Sequence, residues 1–224
     1  MVTTPIDLWA PFGLRVRCGD LELRAVTDAD IPVLADLALA GVHDPERMPF
    51  AVPWTDAPPE RLPAVMAAYY WSTRAAFGPD AWTLDLAVRV DGELVGVQGF
   101  STKDYLVVRS GETGSWLGRS FQGRGIGTAM RKAICALLFD HLDAEEITSA
   151  AFSDNPASLA VSRKVGFVDN GTARHQSRPG QLAHTQRLLL TPDRFVRPDQ
   201  PVDVEGVAAV RTALRLTGAV VGSR

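Results

Sequence analysis

The residues best suited to chemistry in this 224-residue chain surround Gln122-Gly123-Arg124-Gly125-Ile126-Gly127-Thr128. Directly after the glycines, Ile126, Met130, Ile134 and Leu137 are spaced i, i+4, i+8, i+11, which predicts an amphipathic helix. The turn is therefore expected at a helix N-terminus, where unsatisfied N–H groups and the positive end of the helix dipole meet. Glycine there removes the Cβ atoms that would hold an anion away, so the expected ligand is a phosphate or pyrophosphate. Two well-known phosphate turns fit poorly. A P-loop ends in Gly-Lys-Ser/Thr, whereas Gly127 is followed directly by Thr128. A dinucleotide fold needs Gly-x-Gly-x-x-Gly after an early strand, whereas the glycines here alternate as 123, 125 and 127, deep in the chain.

The remaining pattern, Gln/Arg-x-x-Gly-x-Gly/Ala, is met position by position from Gln122 to Gly127 and resembles the pyrophosphate loop of the GNAT superfamily of acyl-CoA-dependent N-acyltransferases. A second segment, Asn155-Pro156-Ala157-Ser158-Leu159-Ala160-Val161-Ser162-Arg163-Lys164-Val165-Gly166-Phe167, is similar in order and spacing to the one that follows this loop in the same superfamily. With Gly114-Ser115-Trp116-Leu117 ahead of the loop, the resemblance is to the ribosomal-protein-alanine N-acetyltransferase branch and extends over about residues 21–190. Within it, Gly41-Val42-His43-Asp44-Pro45-Glu46-Arg47-Met48-Pro49-Phe50 and Ser101-Thr102-Lys103-Asp104-Tyr105 look like an actinobacterial subgroup whose donor would be succinyl-CoA.

This resemblance implies an α+β fold, the GNAT fold: a mixed, mostly antiparallel central sheet flanked by helices. It also implies an enzyme that moves an acyl group, succinyl or acetyl, from acyl-CoA to a primary amine by direct attack in a ternary complex, without metal. Acyl transfer needs a held donor, a deprotonated amine, a stabilised oxyanion and a protonated leaving thiolate. By the resemblance, Trp116, Leu117 and Gly118 receive the pantetheine arm and offer a backbone N–H to the thioester. Gln122, Gly123, Arg124, Gly125, Ile126, Gly127 and Thr128 hold the pyrophosphate, and Asn155 fixes the cofactor or caps a short helix. Glu112 is the expected general base, or else a solvated strand carboxylate, with Asp85 a distant reserve.

Many relatives place a tyrosine where this chain has Ser162, so Ser162, or Ser158 one helical turn earlier, or water must protonate the thiolate. That departure keeps open a contrasting class, a non-catalytic acyl-CoA-binding sensor. Arg47 and Lys103 are the candidate partners of a donor carboxylate. His43 reads as a turn residue, and Arg131 with Lys132 as a solvated helix face.

The composition suits one globular domain, with 46% hydrophobic and 22% charged residues. A net charge of -3 supplies no basic field for nucleic acid. Two cysteines, Cys18 and Cys135, point to a reducing cytosol, and no targeting or membrane segment is visible. Residues 1–20 read as an extended lead-in, with Cys18-Gly19-Asp20 a hairpin turn. Thr27 to Asp30 resembles a capping box before a first helix ending at Gly41, and residues 60–77 read as a second. Between them, five prolines with Phe50 and Trp54 predict an irregular loop that walls a pocket.

Strands follow at 82–90 and 93–100 around Asp91-Gly92, then a loop at 101–105 and a strand at 107–118. Beyond the glycine turn and its helix come a strand at 146–152, a helix at 155–165, and strands from Phe167 and at 186–190, with 171–184 polar and unassigned. The acyltransferase domain is expected over 1–196 and a C-terminal extension over 197–224, with a helix at 207–216. That extension would serve as an oligomer arm, a lid or a surface appendage. Partners are thus an acyl-CoA, an amine (a protein N-terminus, a lysine or a small molecule) and, by way of the arm, a second copy.

Overall fold

Turn chemistry fixes the strand pairings in the computed structural model, which describes residues 3–216. Asp91 and Gly92, at φ of 50° and 82°, close a two-residue hairpin between β3 (Ala81–Val90) and β4 (Glu93–Lys103). Gly19, at φ of 58°, does the same between β1 (Arg15–Cys18) and β2 (Leu21–Ala25). The remaining strands are β5 (Glu112–Leu117), β6 (Ile147–Phe152), β7 (Val168–Arg178), β8 (Gln181–Leu190) and β9 (Asp203–Glu205). They form one sheet in the order β7-β8-β6-β5-β4-β3-β2-β1-β9, antiparallel at every join except β5 with β6, which run parallel.

Helices cover both faces. After the single turn α1 (Pro5–Leu8) come α2 (Asp30–Leu39) and α3 (Leu62–Ala75), whose Ile31, Leu34, Met66 and Tyr70 bury against Ala87 and Val97. On the opposite face α5 (Ile126–His141) lays Met130, Ile134, Leu137 and Leu138 on Leu84, Leu86 and Val88. The alternation along β3, with Leu84, Leu86 and Val88 on one side and Ala87 on the other, follows from the two-residue period of a strand. The α2 start is held as expected: the Thr27 N–H and hydroxyl both donate to the Asp30 carboxylate at 2.8 Å.

The structure differs from the sequence reading in several places. The lead-in is not extended throughout, because Thr4 donates to Asp7 and caps α1, and a 3-10 turn follows at Ala10–Gly13. Residues 101–103 continue β4 instead of forming a loop. Residues 105–108 form a helical turn, α4 (Tyr105–Val108), so that β5 starts only at Glu112. Burial explains this: Tyr105 packs on Trp82 and Phe100 and donates its hydroxyl to the Leu142 carbonyl at 2.8 Å. The polar 171–184 stretch is a long hairpin of β7 and β8 turning at Gly180, φ 77°. Its β7 strand is solvated along most of its length and so lacks an apolar period.

After α6 (Pro156–Val165) and the hairpin, the chain returns to the opposite sheet edge, where β9 pairs with β1. Then α7 (Val207–Ala213) and the residues after it bury Val210, Leu214 and Leu216 in the core beneath α5. Residues 217–224 of the proposed extension lie outside the described residues.

Candidate active site

The β5 strand leads into Gly118, where a Cβ would stand 2.3 Å from Leu37 Cδ1 of α2, so a larger residue would have to push the Leu37 side chain aside. A 3-10 turn at Arg119–Phe121 leads to Gly123 and Gly125, at φ of 73° and 84°. At both, an added Cβ would meet nothing within 4 Å, so the turn faces open space. Among the described residues, the N–H groups of residues 123–127 donate to no protein acceptor, while that of Thr128 is taken by the Gly125 carbonyl at 3.0 Å. Five consecutive free amides at the start of a sixteen-residue helix make an anion cradle. Gln122 acts on the protein instead, donating its side-chain amide to the carbonyls of Val42 and Leu117 at 2.6 and 2.9 Å. Arg124 is exposed, its guanidinium over the Phe121 ring.

Next to the cradle the sheet opens. Strands β5 and β6 are registered at one pair, Glu112 with Thr148. Beyond it β5 is paired only with β4, through Leu117 opposite Gly96. Gly118 donates its N–H to Val95 of β4 at 3.0 Å. Because amides alternate in direction along a strand, those of Leu117 and Ser115 point into the opening.

Arg131, read from sequence as a solvated face, is 4% exposed and lies beneath the fork. Its guanidinium donates to Gln98 Oε1 on β4 (3.4 Å), Ser115 Oγ on β5 (3.0 Å) and Ser149 Oγ on β6 (3.2 Å), bridging the diverging strands. Burial lowers its pKa, with Cys135 and Glu112 acting in the opposite direction. The helical spacing placed it beside Lys132, and only the polar run on the facing strands shows that it turns inward.

The other candidates lie on β5 and on α6 with its N-cap. Glu112 is exposed at the root of the fork, opposite Ser101 of β4. Asn155 caps α6, its Oδ1 accepting the Ser158 N–H at 3.1 Å. Ser158 is half-buried, and Ser162 is fully buried with no hydrogen-bond partner for its hydroxyl. An orphaned buried hydroxyl costs roughly 1–3 kcal/mol. Helix α6 meets the cradle through Val161, 3.5 Å from where a Gly127 Cβ would be.

The proline-rich loop forms an aromatic wall: His43, Phe50, Trp54 and Trp116 follow one another at centroid distances of 5.7, 5.2 and 5.5 Å. His43 is a loop residue, bonded to the Asp44 carbonyl and Thr55 Oγ1. Arg178 at the β7–β8 tip clasps Asp56 of this loop through two bonds of 2.7 and 2.9 Å. Arg47 on the same loop is exposed and joins no ion pair among the described residues. Lys103 lies at the far end of β4 opposite Ala81, five residues or about 17 Å past Gln98. Among the described residues no group of three or more His, Cys, Asp or Glu could hold a metal ion, and no helix is long and apolar enough to cross a membrane.

A cradle of free amides at a helix N-terminus, beside a strand edge left unpaired, suits a ligand that joins an anionic group to an extended arm. A family model described as an acetyltransferase (GNAT) domain matches residues 20–168, and the chain belongs to that family. The Bacillus subtilis protein named "Putative ribosomal N-acetyltransferase YdaF" is 31% identical over 91 residues, 41% of this chain. The match spans about half of that relative's length, 49%. Among solved structures, Mycobacterium smegmatis RimJ in complex with CoA-disulfide superposes with a TM-score of 0.70 at 20% identity, covering 91% of this chain and 95% of RimJ. RimL, a ribosomal L7/L12 alpha-N-protein acetyltransferase in complex with coenzyme A, gives 0.63 at 21%, covering 78% and 96%. The expected fold is therefore confirmed.

Proposed function

We propose that this enzyme transfers an acyl group from acyl-CoA to the α-amine of a protein N-terminus of the ribosomal kind, in the cytosol. The run of free amides from 123 to 127, continuous with the open edge of β5, carries this reading. The names of the relatives support the acceptor, and two free thiols, Cys18 and Cys135, suit a reducing compartment. The pyrophosphate would rest on the cradle, and the pantetheine would lie along β5.

The acceptor nitrogen attacks the thioester carbonyl, its oxyanion receiving the Leu117 N–H, and the C–N bond forms as the C–S bond breaks. The ammonium gives up two protons in all: one passes to Glu112, directly or through water, and the other ends on the CoA thiolate by way of Ser158, Ser162 or water. We further propose that succinyl-CoA serves at least as well as acetyl-CoA, its terminal carboxylate pairing with Arg47 or Lys103. Arg47 supports this as an exposed cation, without an ion pair among the described residues, on the loop that carries the aromatic wall. The test is the ratio of kcat/KM for the two donors, read as CoA release with a free-N-terminus peptide, in the parent and in Arg47→Ala and Lys103→Ala. A tenfold acetyl preference that neither change affects would return the donor to acetyl-CoA. No transfer with either donor would reject the acceptor class.

A further inference from the structure

Three positions in register cross the sheet on the α3 face: Asp85 of β3 pairs with Gly99 of β4, and Gly99 with Gly114 of β5. Directly paired residues share a face, so this row holds one carboxylate and two missing side chains. A Cβ at Gly99 would stand 2.8 Å from Asp85 Oδ1, which means that the carboxylate already leans over the middle strand towards β5. A Cβ at Gly114 would meet nothing within 4 Å. Glycines inside strands weaken a sheet, and they persist where something approaches the backbone closely. Here they leave a bare floor from Asp85 to the strand that bears Glu112, two residues before Gly114 on the same face.

The carboxylate itself lacks a counter-charge. Its two hydrogen bonds, from Tyr69 Oη and Thr73 Oγ1, are both 3.5 Å long, the outer limit for such a bond. None of the ion pairs among the described residues includes it. The nearby Arg74, which shares a small cavity with it, is committed to Asp28 at 2.6 Å and to the Val26 carbonyl at 3.1 Å. A half-buried carboxylate without a cation carries a desolvation cost, and one leaning over an empty glycine floor in an amine-acylating enzyme has an evident partner.

Resting on the acyl-transfer reading above, we propose that Asp85 binds the acceptor's ammonium, seating it over Gly99 and Gly114 between Asp85 and Glu112 before it loses its proton. Asp85 thereby selects acceptors that arrive charged, while Glu112 remains the base. The position is geometrically economical. An ammonium in contact with Asp85 Oδ1 lies above the Gly99–Gly114 pair, one strand spacing of about 4.8 Å from the β5 backbone whose far edge faces the opening.

The test uses the full chain saturated with CoA and two probes, a tetra-alanine amide with a free α-amine and its N-acetylated counterpart, with calorimetry for binding. The parent should bind the free amine at least tenfold more tightly than the capped peptide. Asp85→Asn should erase that preference while the affinity for CoA stays the same. Gly114→Ala, whose methyl group enters open space, should weaken the free-amine peptide in the same way in a chain that melts normally. A preference that survives in Asp85→Asn, or a parent without one, overturns the proposal. Failure of the acyl-transfer reading looks different: a parent that prefers the free amine yet releases no CoA from acetyl-CoA or succinyl-CoA.

Discussion

Glu112 of β5 and Thr148 of β6 are the one registered pair, among the described residues, through which the two halves of the sheet meet. Thr148 anchors the junction by donating its N–H and hydroxyl to the Gly111 carbonyl at 2.8 and 3.0 Å. The proposed base therefore sits where the strands part, at the root of the opening that the donor is to occupy. From there Arg131 links the two strands, donating to Ser115 of β5 and to Ser149 of β6.

Glu112→Gln keeps the shape and removes the proton acceptor. Turnover at neutral pH should fall by tenfold or more with CoA affinity unchanged, and part of the loss should return as pH rises and the amine deprotonates in solution. Steady-state rates across pH measure this. A defect that is constant with pH would give Glu112 a positioning role.

Gly125→Val places a branched side chain in the open space of the cradle, at a φ of 84° that a β-branched residue tolerates poorly. The fold should lose about 1–3 kcal/mol from this strain, while calorimetric CoA binding is lost altogether. Retained CoA affinity would move the pyrophosphate elsewhere.

Burial raises the Asp85 pKa from 3.8 to about 6, against the hydrogen bonds from Tyr69 and Thr73. The folded chain thus holds this proton more tightly than the unfolded chain does. The group's contribution to stability is greatest below about pH 4, falls as pH rises through about 6, and is level above. The facing groups with shifts move away from that window: Tyr69 and Tyr70 are raised by burial, and Asp28 is lowered by its hydrogen bond from Arg74. Asp85→Asn should therefore gain stability relative to the parent between about pH 4 and pH 7 in urea unfolding. A difference that does not change with pH would show that Asp85 titrates as an ordinary carboxylate.

Gly206 lies between β9 and α7 at φ 75°, and a Cβ there would stand 2.0 Å from the Gly13 carbonyl oxygen, a backbone atom that cannot swing aside. Gly206→Ala should cost at least about 2 kcal/mol in chemical denaturation and leave CoA affinity as it was. A neutral effect would mean that residues 203–216 dock only loosely.

The local features were legible because their causes lie within a few residues. Asp91-Gly92 makes its turn from its own φ preferences, and Asn155 caps the helix that starts beside it. The glycines at 123 and 125 shape the cradle wherever the strand and helix around them are placed. What the sequence left undecided depends on partners far along the chain. Arg131 turns inward only because Gln98, Ser115 and Ser149 come from three strands to meet it. The β7–β8 hairpin is solvated on β7 and carries no apolar rhythm, yet Arg178 at its tip finds Asp56, 122 residues away. β9 becomes a strand because β1 presents a free edge, and Asp85 gains its meaning from two glycines on neighbouring strands. Periodicity reports which face of an element is apolar. Which polar groups that face will meet is decided by strand register, and register exists only once the sheet has formed.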